Sequence, residues 1–395
     1  MKKIKLFLAF ALSAVMLLSG CGQGDFGEVL SPEDFVQPSS SVTPSSSEPE
    51  SSVEPSVEPS QEPDEPADLP PEEGMVQSSL TGLWVDEEVA ASRPIAVMFP
   101  TDKGSQPQYG IGLAGVLYEC MEEGNISRQM GIIEDWQELE KIGNIRSGRD
   151  YYGYWSMEWD AYFVCWGGPF YLVTMTSRPE FEYLAAVRIG VNDLNSPALG
   201  AGAFWRPKGE KATIHNGFTD GESLSRYIKS LGYDKEHREE YWDPNHFQFA
   251  SVSNPNTLAD ATDSFDATEI DLDEIFPFTS SYLEYNEEDG LYYKYLHGNK
   301  QIDVLTDEQL TFTNVIVQNT DWEYQIDGKY LKFNCVDDTQ DGYYFTNGKG
   351  IHITWKKESD YAPTRYYDDA GNEIKLNPGK TYIAVAQKGR DVSYN

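Results

Sequence analysis

Residues 22–79 of this 395-residue chain contain no lysine and no arginine, while the same stretch carries fourteen Asp and Glu. Cysteine is scarce, with 4 in the whole chain, and histidine nearly so, with 5. Beyond the first twenty residues no apolar run is long enough to cross a bilayer. Each shortage excludes something. Four cysteines without a C-x-x-C pair cannot build a disulfide framework or a thiolate metal site. His215, His237, His246, His297 and His352 are scattered, none with H-x-x-x-H spacing, so no zinc site and no other cofactor is expected. Positive charge is also short, with 30 Lys and Arg against 65 Asp and Glu. The leader carries +3 and residues 22–79 carry −14, which leaves −24 on the remainder. A body this acidic is repelled by nucleic acid and by polyanionic surfaces, so nucleic acid is excluded as a partner.

What is present begins with an address. Lys2, Lys3 and Lys5 precede an apolar run from Leu6 to Leu18, the layout of an export signal and too short for a spanning helix. The run ends in Leu18-Ser19-Gly20-Cys21, which resembles a bacterial lipobox. In such signals the Cys21 thiol receives the lipid and cleavage falls before it, so residues 1–20 read as a signal peptide. Acyl chains on Cys21 make the lipid bilayer the first expected partner, each buried methylene contributing ~0.8 kcal/mol. Residues 21–79 then read as a tether. From Gln37 to Pro71 the text is Ser, Pro, Glu and little else, too poor in apolar surface to offset the entropy of ordering. Stretched along its prolines at ~3.1 Å per residue, that segment reaches on the order of 100 Å.

The body divides by texture. Residues 80–258 alternate strand-like runs with helix signals. Arg93–Phe99, Val116–Tyr118, Met130–Ile133 and Asp160–Trp166 read as buried strands. Ser177–Val187, with a leading serine, and Thr219–Leu231, with a Thr219-x-x-Glu222 capping box and a closing Gly232, read as helices. Residues 265–395 change to short aromatic and β-branched runs, punctuated by Asp289-Gly290, Asp327-Gly328, Asp341-Gly342 and Asn347-Gly348, the strongest short-range hairpin signals. Thr311–Gln318, Gly350–Lys356 and Thr381–Gln387 read as strands of one antiparallel assembly. The break falls in the polar stretch 254–264. The expected fold class is α+β, with layered mixed sheets and a few helices in the N-terminal part and an antiparallel, β-rich C-terminal part.

Few residue groups carry chemistry. Gly110-x-Gly112-x-x-Gly115 matches a dinucleotide fingerprint in letters but not in context, because the nearest strand ends ten residues earlier, at Pro100. Arg146-Ser147-Gly148-Arg149-Asp150 is more informative. Two arginines three apart can hold a carboxylate or phosphate bidentately, joined by Arg128 from the segment after Glu119 and Glu123. Equally, these charges can satisfy one another as an internal ion-pair network. Arg146, which follows Ile145, is expected to be structural, and Arg149, beside Asp150 and Tyr151-Tyr152, to line a pocket. His215 and Asn216 complete the candidate set; Ser147 and His215 alone do not define a catalytic order. Tyr152, Trp155 and Trp159 fall on one helical face, which reads as core in preference to a sugar-stacking surface.

At these positions the sequence resembles the YerB-like lipoprotein family. The resemblance is carried by Arg93-Pro94-Ile95-Ala96-Val97-Met98, Pro107-Gln108, Tyr118-Glu119, Glu123-Gly124-x-Ile126-Ser127-Arg128 and Ile142-Gly143-x-Ile145-Arg146-Ser147-x-Arg149. It continues through Gly167-Gly168 and Ile214-His215-Asn216-x-x-Thr219, then His297, Asp303, Asn314-Val315, Gly350, Trp355-Lys356-Lys357 and Pro378-Gly379-Lys380-Thr381. The chain departs from the family pattern at Asn144, Gly148 and Cys165-Trp166. The resemblance implies a mixed α+β fold, a bacterial surface setting and no established catalytic residues. Together these observations lead to the expectation of a membrane-tethered, non-enzymatic binding or scaffolding lipoprotein on the extracytoplasmic face, with cell-wall polymer or wall-synthesis proteins as partners. The alternative is an envelope enzyme or ligand-binding protein whose arginine-lined pocket takes a phosphorylated or carboxylated wall precursor.

Overall fold

The apolar runs of both halves meet in one sheet. In the computed structural model, which describes residues 68–190, 202–208, 213–259 and 261–395, an 11-stranded sheet forms the centre. Its order is Phe265–Asp266, Lys349–Lys357, Asp337–Thr346, Asn314–Thr320, Thr381–Gln387, Val116–Met121, Ser127–Ile133, Ile95–Pro100, Tyr162–Cys165 and Tyr183–Ala185, with Arg365–Tyr367 on the Lys349–Lys357 strand. The runs Ile95–Pro100, Val116–Met121, Ser127–Ile133 and Thr381–Gln387 are buried at every residue. Strands buried at every residue belong to a sheet covered on both faces. The leader, Cys21 and most of the expected tether lie outside the described residues.

Strands from the two halves are neighbours. Thr381–Gln387 pairs in parallel with Asn314–Thr320 on one side and with Val116–Met121 on the other. The C-terminal half is antiparallel and β-rich as expected, with one correction: Thr381–Gln387 joins Asn314–Thr320 in parallel. The reason is the sandwiching: both strands are covered on both faces, where parallel pairing prevails. The described residues, from 68 onward, form one compact unit, and the sheet takes strands from both sides of the polar stretch at 254–264. Two ion pairs with fully buried side chains each draw one partner from either half: Glu119 with Lys294 at 3.5 Å, and Glu158 with Lys357 at 3.1 Å.

The hairpins Tyr282–Asn286/Leu291–Leu296 and Trp322–Tyr324/Leu331–Phe333 turn where Asp-Gly was read, and Asp337–Thr346/Lys349–Lys357 turns at Asn347-Gly348. Asp341-Gly342 does not turn; it lies within a ten-residue strand. A Cβ at Gly342 would lie 2.5 Å from the Val317 carbonyl oxygen, so this glycine allows close strand approach. The helix expected over Ser177–Val187 is also absent: a 3-10 segment, Phe170–Ser177, precedes the strand Tyr183–Ala185. Sheet pairing with Phe163–Cys165 overrides the local helix signal there. The second helix, Gly221–Leu231, ends at left-handed Gly232, but its cap is Asp220, whose carboxylate accepts from the Ser223 amide at 2.6 Å. Thr219 instead bonds the Ala203 carbonyl at 2.8 Å.

Order starts before residue 80. Met75–Gln77 pairs with Trp84–Asp86, and buried Ser78 donates to the Glu134 carboxylate at 2.7 Å. The end of the expected tether is thus part of the body. Gly112, from the fingerprint-like loop, packs against Asp303: its amide donates to Asp303 Oδ2 at 2.8 Å, and a Cβ would meet the Asp303 Cβ at 2.8 Å. That contact accounts for the glycine.

Candidate functional site

Ile95–Pro100 runs parallel to Tyr162–Cys165, and both Ile95–Pro100 and Val116–Met121 run antiparallel to Ser127–Ile133. The carboxyl ends of three parallel strands, at Pro100, Met121 and Cys165, therefore share one sheet edge with the start of the fourth. Ligands of open, largely parallel sheets bind outside such carboxyl ends. Glu122, Glu123, Asp102 and Arg128 all fall there. The segment 146–149 crosses the same edge with strand-like bonding. The Arg146 amide donates to the Met98 carbonyl, the Trp166 amide to the Arg146 carbonyl, and the Gly148 amide to the Gly167 carbonyl.

Most of the charge is internally compensated. Buried Arg128 pairs with Glu122 and donates to the Ser147 carbonyl. Arg149 reaches Glu123 at 2.5 Å, Glu122 at 3.0 Å and the Gly148 carbonyl at 2.9 Å. Burial pushes the Arg149 guanidinium toward losing its proton, but Glu122 and Glu123 more than offset this and hold it above its ordinary range. Asp150 starts the Asp150–Met157 helix and accepts from Gln325 at 3.0 Å, burial raising its pKa.

Arg146 is different. Among the described residues its one ion pair is with Asp102, at 3.5 Å, and its side chain stays partly exposed. Burial, and then repulsion from Arg128, push its pKa down to about 10 against the pull of Glu122 and Asp102. His215 Nδ1 stands 4.0 Å from the same Asp102 oxygen. Burial lowers the His215 pKa further than Asp102 raises it, with Arg146 adding to the fall, so the imidazole is neutral near pH 7. Among the described residues the buried atoms Arg128 Nε, Trp166 Nε1, His215 Nδ1 and Gln106 Oε1 have no hydrogen-bond partner. Buried polar atoms of this kind are ordinarily satisfied, and these four leave donors and acceptors near the sheet edge for further polar contacts.

The sequence-derived set is thus only partly assembled. Arg128, Arg146, Arg149 and Glu123 come together, with Asp150 beside them. Glu119 does not join: it is buried in the sheet, bonded by Ser127 at 2.6 Å, Gln129 at 2.8 Å and Tyr382 at 2.8 Å. Ser147 Oγ donates to the Trp166 carbonyl at 3.2 Å, and His215 faces Asp102, so the two make no nucleophile–base pair. Asn216 accepts from Arg206 at 2.5 Å, and the Arg206 guanidinium lies 4.1 Å from the Trp166 ring centre. The roles expected of the two arginines are exchanged, Arg149 being the buried, paired one and Arg146 the one with spare donors. Asp102 and Arg206 were missed. Asp102, two residues beyond a strand that ends at Pro100, stands where a parallel strand delivers functional groups. Two clefts, of about 770 and 880 Å³, lie elsewhere, and neither is lined by an arginine.

Two family models match the chain, the DUF3048 N-terminal domain over residues 80–234 and the DUF3048 C-terminal domain over residues 275–383, both described as protein of unknown function. The chain belongs to the DUF3048 family. A relative, the Bacillus subtilis (strain 168) protein named "Putative lipoprotein YerB", is 23% identical over 320 residues, covering 80% of this chain and 88% of the relative. The crystal structure of YerB from Bacillus subtilis superposes with a TM-score of 0.65 at 20% identity, over 80% of this chain and 99% of that one. The mixed α+β fold, few helices on many strands, is shared. The DUF3048 segments stop at 234 and resume at 275, on either side of the polar stretch.

Proposed function

We propose that this DUF3048 protein is a membrane-tethered binding lipoprotein of the bacterial envelope, held at the extracytoplasmic face by acyl chains on Cys21 and serving cell-wall assembly or its enzymes. Its ligand presents an anionic group, carboxylate or phosphate, to Arg146. The observation that carries this reading is the unequal compensation of three neighbouring arginines. Arg128 is spent on Glu122 and the Ser147 carbonyl and Arg149 on Glu122, Glu123 and the Gly148 carbonyl, whereas Arg146 makes one long contact, with Asp102. A planar guanidinium with open donors, half out of water, takes an oxyanion bidentately. The name of the Bacillus subtilis relative supports the lipid anchor. Absence of a nucleophile–base pair around Ser147 and His215 favours binding over turnover.

The test uses the full-length protein in detergent micelles. Acetate and inorganic phosphate, titrated separately, are expected to shift the resonances of the 146–149 segment, and Arg146→Ala to abolish the shift without lowering Tm. In cells, Cys21→Ser is expected to release the protein from the membrane fraction. An unshifted spectrum with both anions sinks the site, and normal membrane retention of the processed Cys21→Ser chain sinks the anchor.

A further inference from the structure

Side chains from three segments meet at one carboxylate oxygen. Asp102 Oδ2 lies 3.5 Å from Arg146 Nη1 and 4.0 Å from His215 Nδ1. Backbone contacts bring the segments together. Asp102 follows the strand that ends at Pro100, and the Arg146 amide donates to the Met98 carbonyl of that strand. The Ile145 amide donates to the carbonyl of Gly217, two residues past His215. Gly217 itself lies so close to the Trp166 ring that a Cβ would not fit. The His215 loop is therefore held against the Arg146 segment. Neither contact to Asp102 is a full charge-assisted hydrogen bond, which spans about 2.7–2.9 Å. His215 Nδ1 is buried without a hydrogen-bond partner, although its side chain is partly exposed.

Asp102 thus has two loosely engaged neighbours, one a cation and one able to become a cation. The charges acting on His215 are few. Burial weakens its hold on a proton, Asp102 strengthens it and Arg146 weakens it again. Among the described residues, Lys103 beside Asp102 is exposed, and Arg206, from the segment facing the His215 loop, donates to the Thr213 carbonyl and to Asn216. The charges of Arg146 and Asp102 sum to zero. An anion arriving on Arg146 makes the site negative, in a body that already carries −24, and cancels the cation that repels a proton from His215. One proton on His215 restores neutrality and gives Asp102 an imidazolium to pair with. The same balance sets the charge of the ligand, because one proton offsets a monoanion and leaves a dianion in excess.

We propose that His215 is the second member of the Arg146 site and takes up one proton as a monoanionic oxyanion, a carboxylate or a phosphodiester, binds there. This rests on the reading of Arg146 as an anion site. Such coupling is reciprocal: the factor by which the proton tightens the anion is the factor by which the anion tightens the proton. The test follows the histidine ring and 146–149 resonances of the full-length protein in micelles, titrated with acetate, dimethyl phosphate and sulfate at pH 6 and pH 8. Each monoanion is expected to bind about threefold or more tighter at pH 6, and at saturation to raise the midpoint of the His215 ring titration by about half a pH unit or more, which is the same factor. His215→Gln is expected to bind acetate alike at both pH values, and more weakly than the native protein at pH 6. Sulfate, dianionic throughout, is expected to bind more weakly than either monoanion, and the tighter of acetate and dimethyl phosphate identifies the ligand group. An affinity independent of pH, an unmoved His215 midpoint, or a pH dependence that survives in His215→Gln overturns the proton coupling and leaves Arg146 standing as an anion site. Tightest binding of sulfate overturns the monoanion assignment. No binding of any of the three overturns this inference and the Arg146 site together.

Discussion

Arg146 and Arg149 carry the same charge three residues apart, yet their removal is expected to have opposite consequences. Arg149→Ala leaves Glu122 with Arg128 alone and the part-exposed Glu123 without its arginine, so it should cost stability, but less than the about 3–5 kcal/mol of a fully buried pair broken from one side. Arg146→Ala removes a desolvated cation that repels Arg128 and leaves the part-exposed Asp102 to solvent, so stability should change little or rise. Thermal melts of the two variants decide it; equal losses would contradict the division of roles. Sequence made the cluster legible but not this division, because whether an arginine is spent depends on Glu122 and Asp102, which other strands deliver. Glu134 shows the same dependence on surroundings. Burial raises its pKa to about 7, Ser78 pulling it back and Asp135 adding to the rise. A carboxyl with a raised folded pKa stabilises the fold most below the ordinary value of 4.5, and that contribution is lost as pH rises through about 7. Glu134→Gln, which does not ionise, should therefore gain on the native protein between pH 5 and pH 8, by up to about 3 kcal/mol. Unfolding free energies at the two pH values check this, and a constant difference would refute it.

Single elements were legible wherever local chemistry matches global packing. Val97, Leu117, Ile132 and Val164 sit in runs so apolar that only a covered strand accommodates them, and Asp289-Gly290 turns as its dihedral freedom allows. Legibility failed where a distant partner overruled the local signal, as for Tyr183–Ala185 against the Phe163 strand and Gly342 against Val317. The Gly221–Leu231 helix shows the finest grain of the failure. Both Thr219 and Asp220 are good caps, and which one caps was decided by the Ala203 carbonyl, which engages Thr219. Asp220→Ala is accordingly expected to cost about 1 kcal/mol, the usual worth of a lost N-cap. Glu222→Gln should be close to neutral, because Glu222 is exposed and pairs only with exposed Arg226 at 2.5 Å. Chemical denaturation of both variants separates these outcomes, and a larger loss in Glu222→Gln would restore the Thr219–Glu222 box.

Across the molecule, the two family segments share what a domain ordinarily keeps to itself. The strand Thr381–Gln387, buried throughout, is wedged between one strand of each segment and completes the hydrogen bonding of both. Removing residues 265–395 would leave one edge of the Val116–Met121 strand, along the five residues Val116–Cys120, without its partner and a template for aggregation. It would also strip Glu119 of Lys294, Tyr382 and Ser281, and Glu158 of Lys357 and Thr364. Each loss leaves a carboxylate buried with too few partners, which costs several kcal/mol against a total stability of about 5–15 kcal/mol for a domain. The fragment 80–258 alone is therefore expected to be insoluble or unfolded, and co-expression with 265–395 to recover a soluble pair. The intact chain should melt in one cooperative transition, since neither half can keep its edge of the sheet without the other. A monomeric 80–258 fragment with its own sharp melt would show instead that the composition break at 254–264 separates two bodies that fold alone, and that the buried pairs between them only align what is already formed.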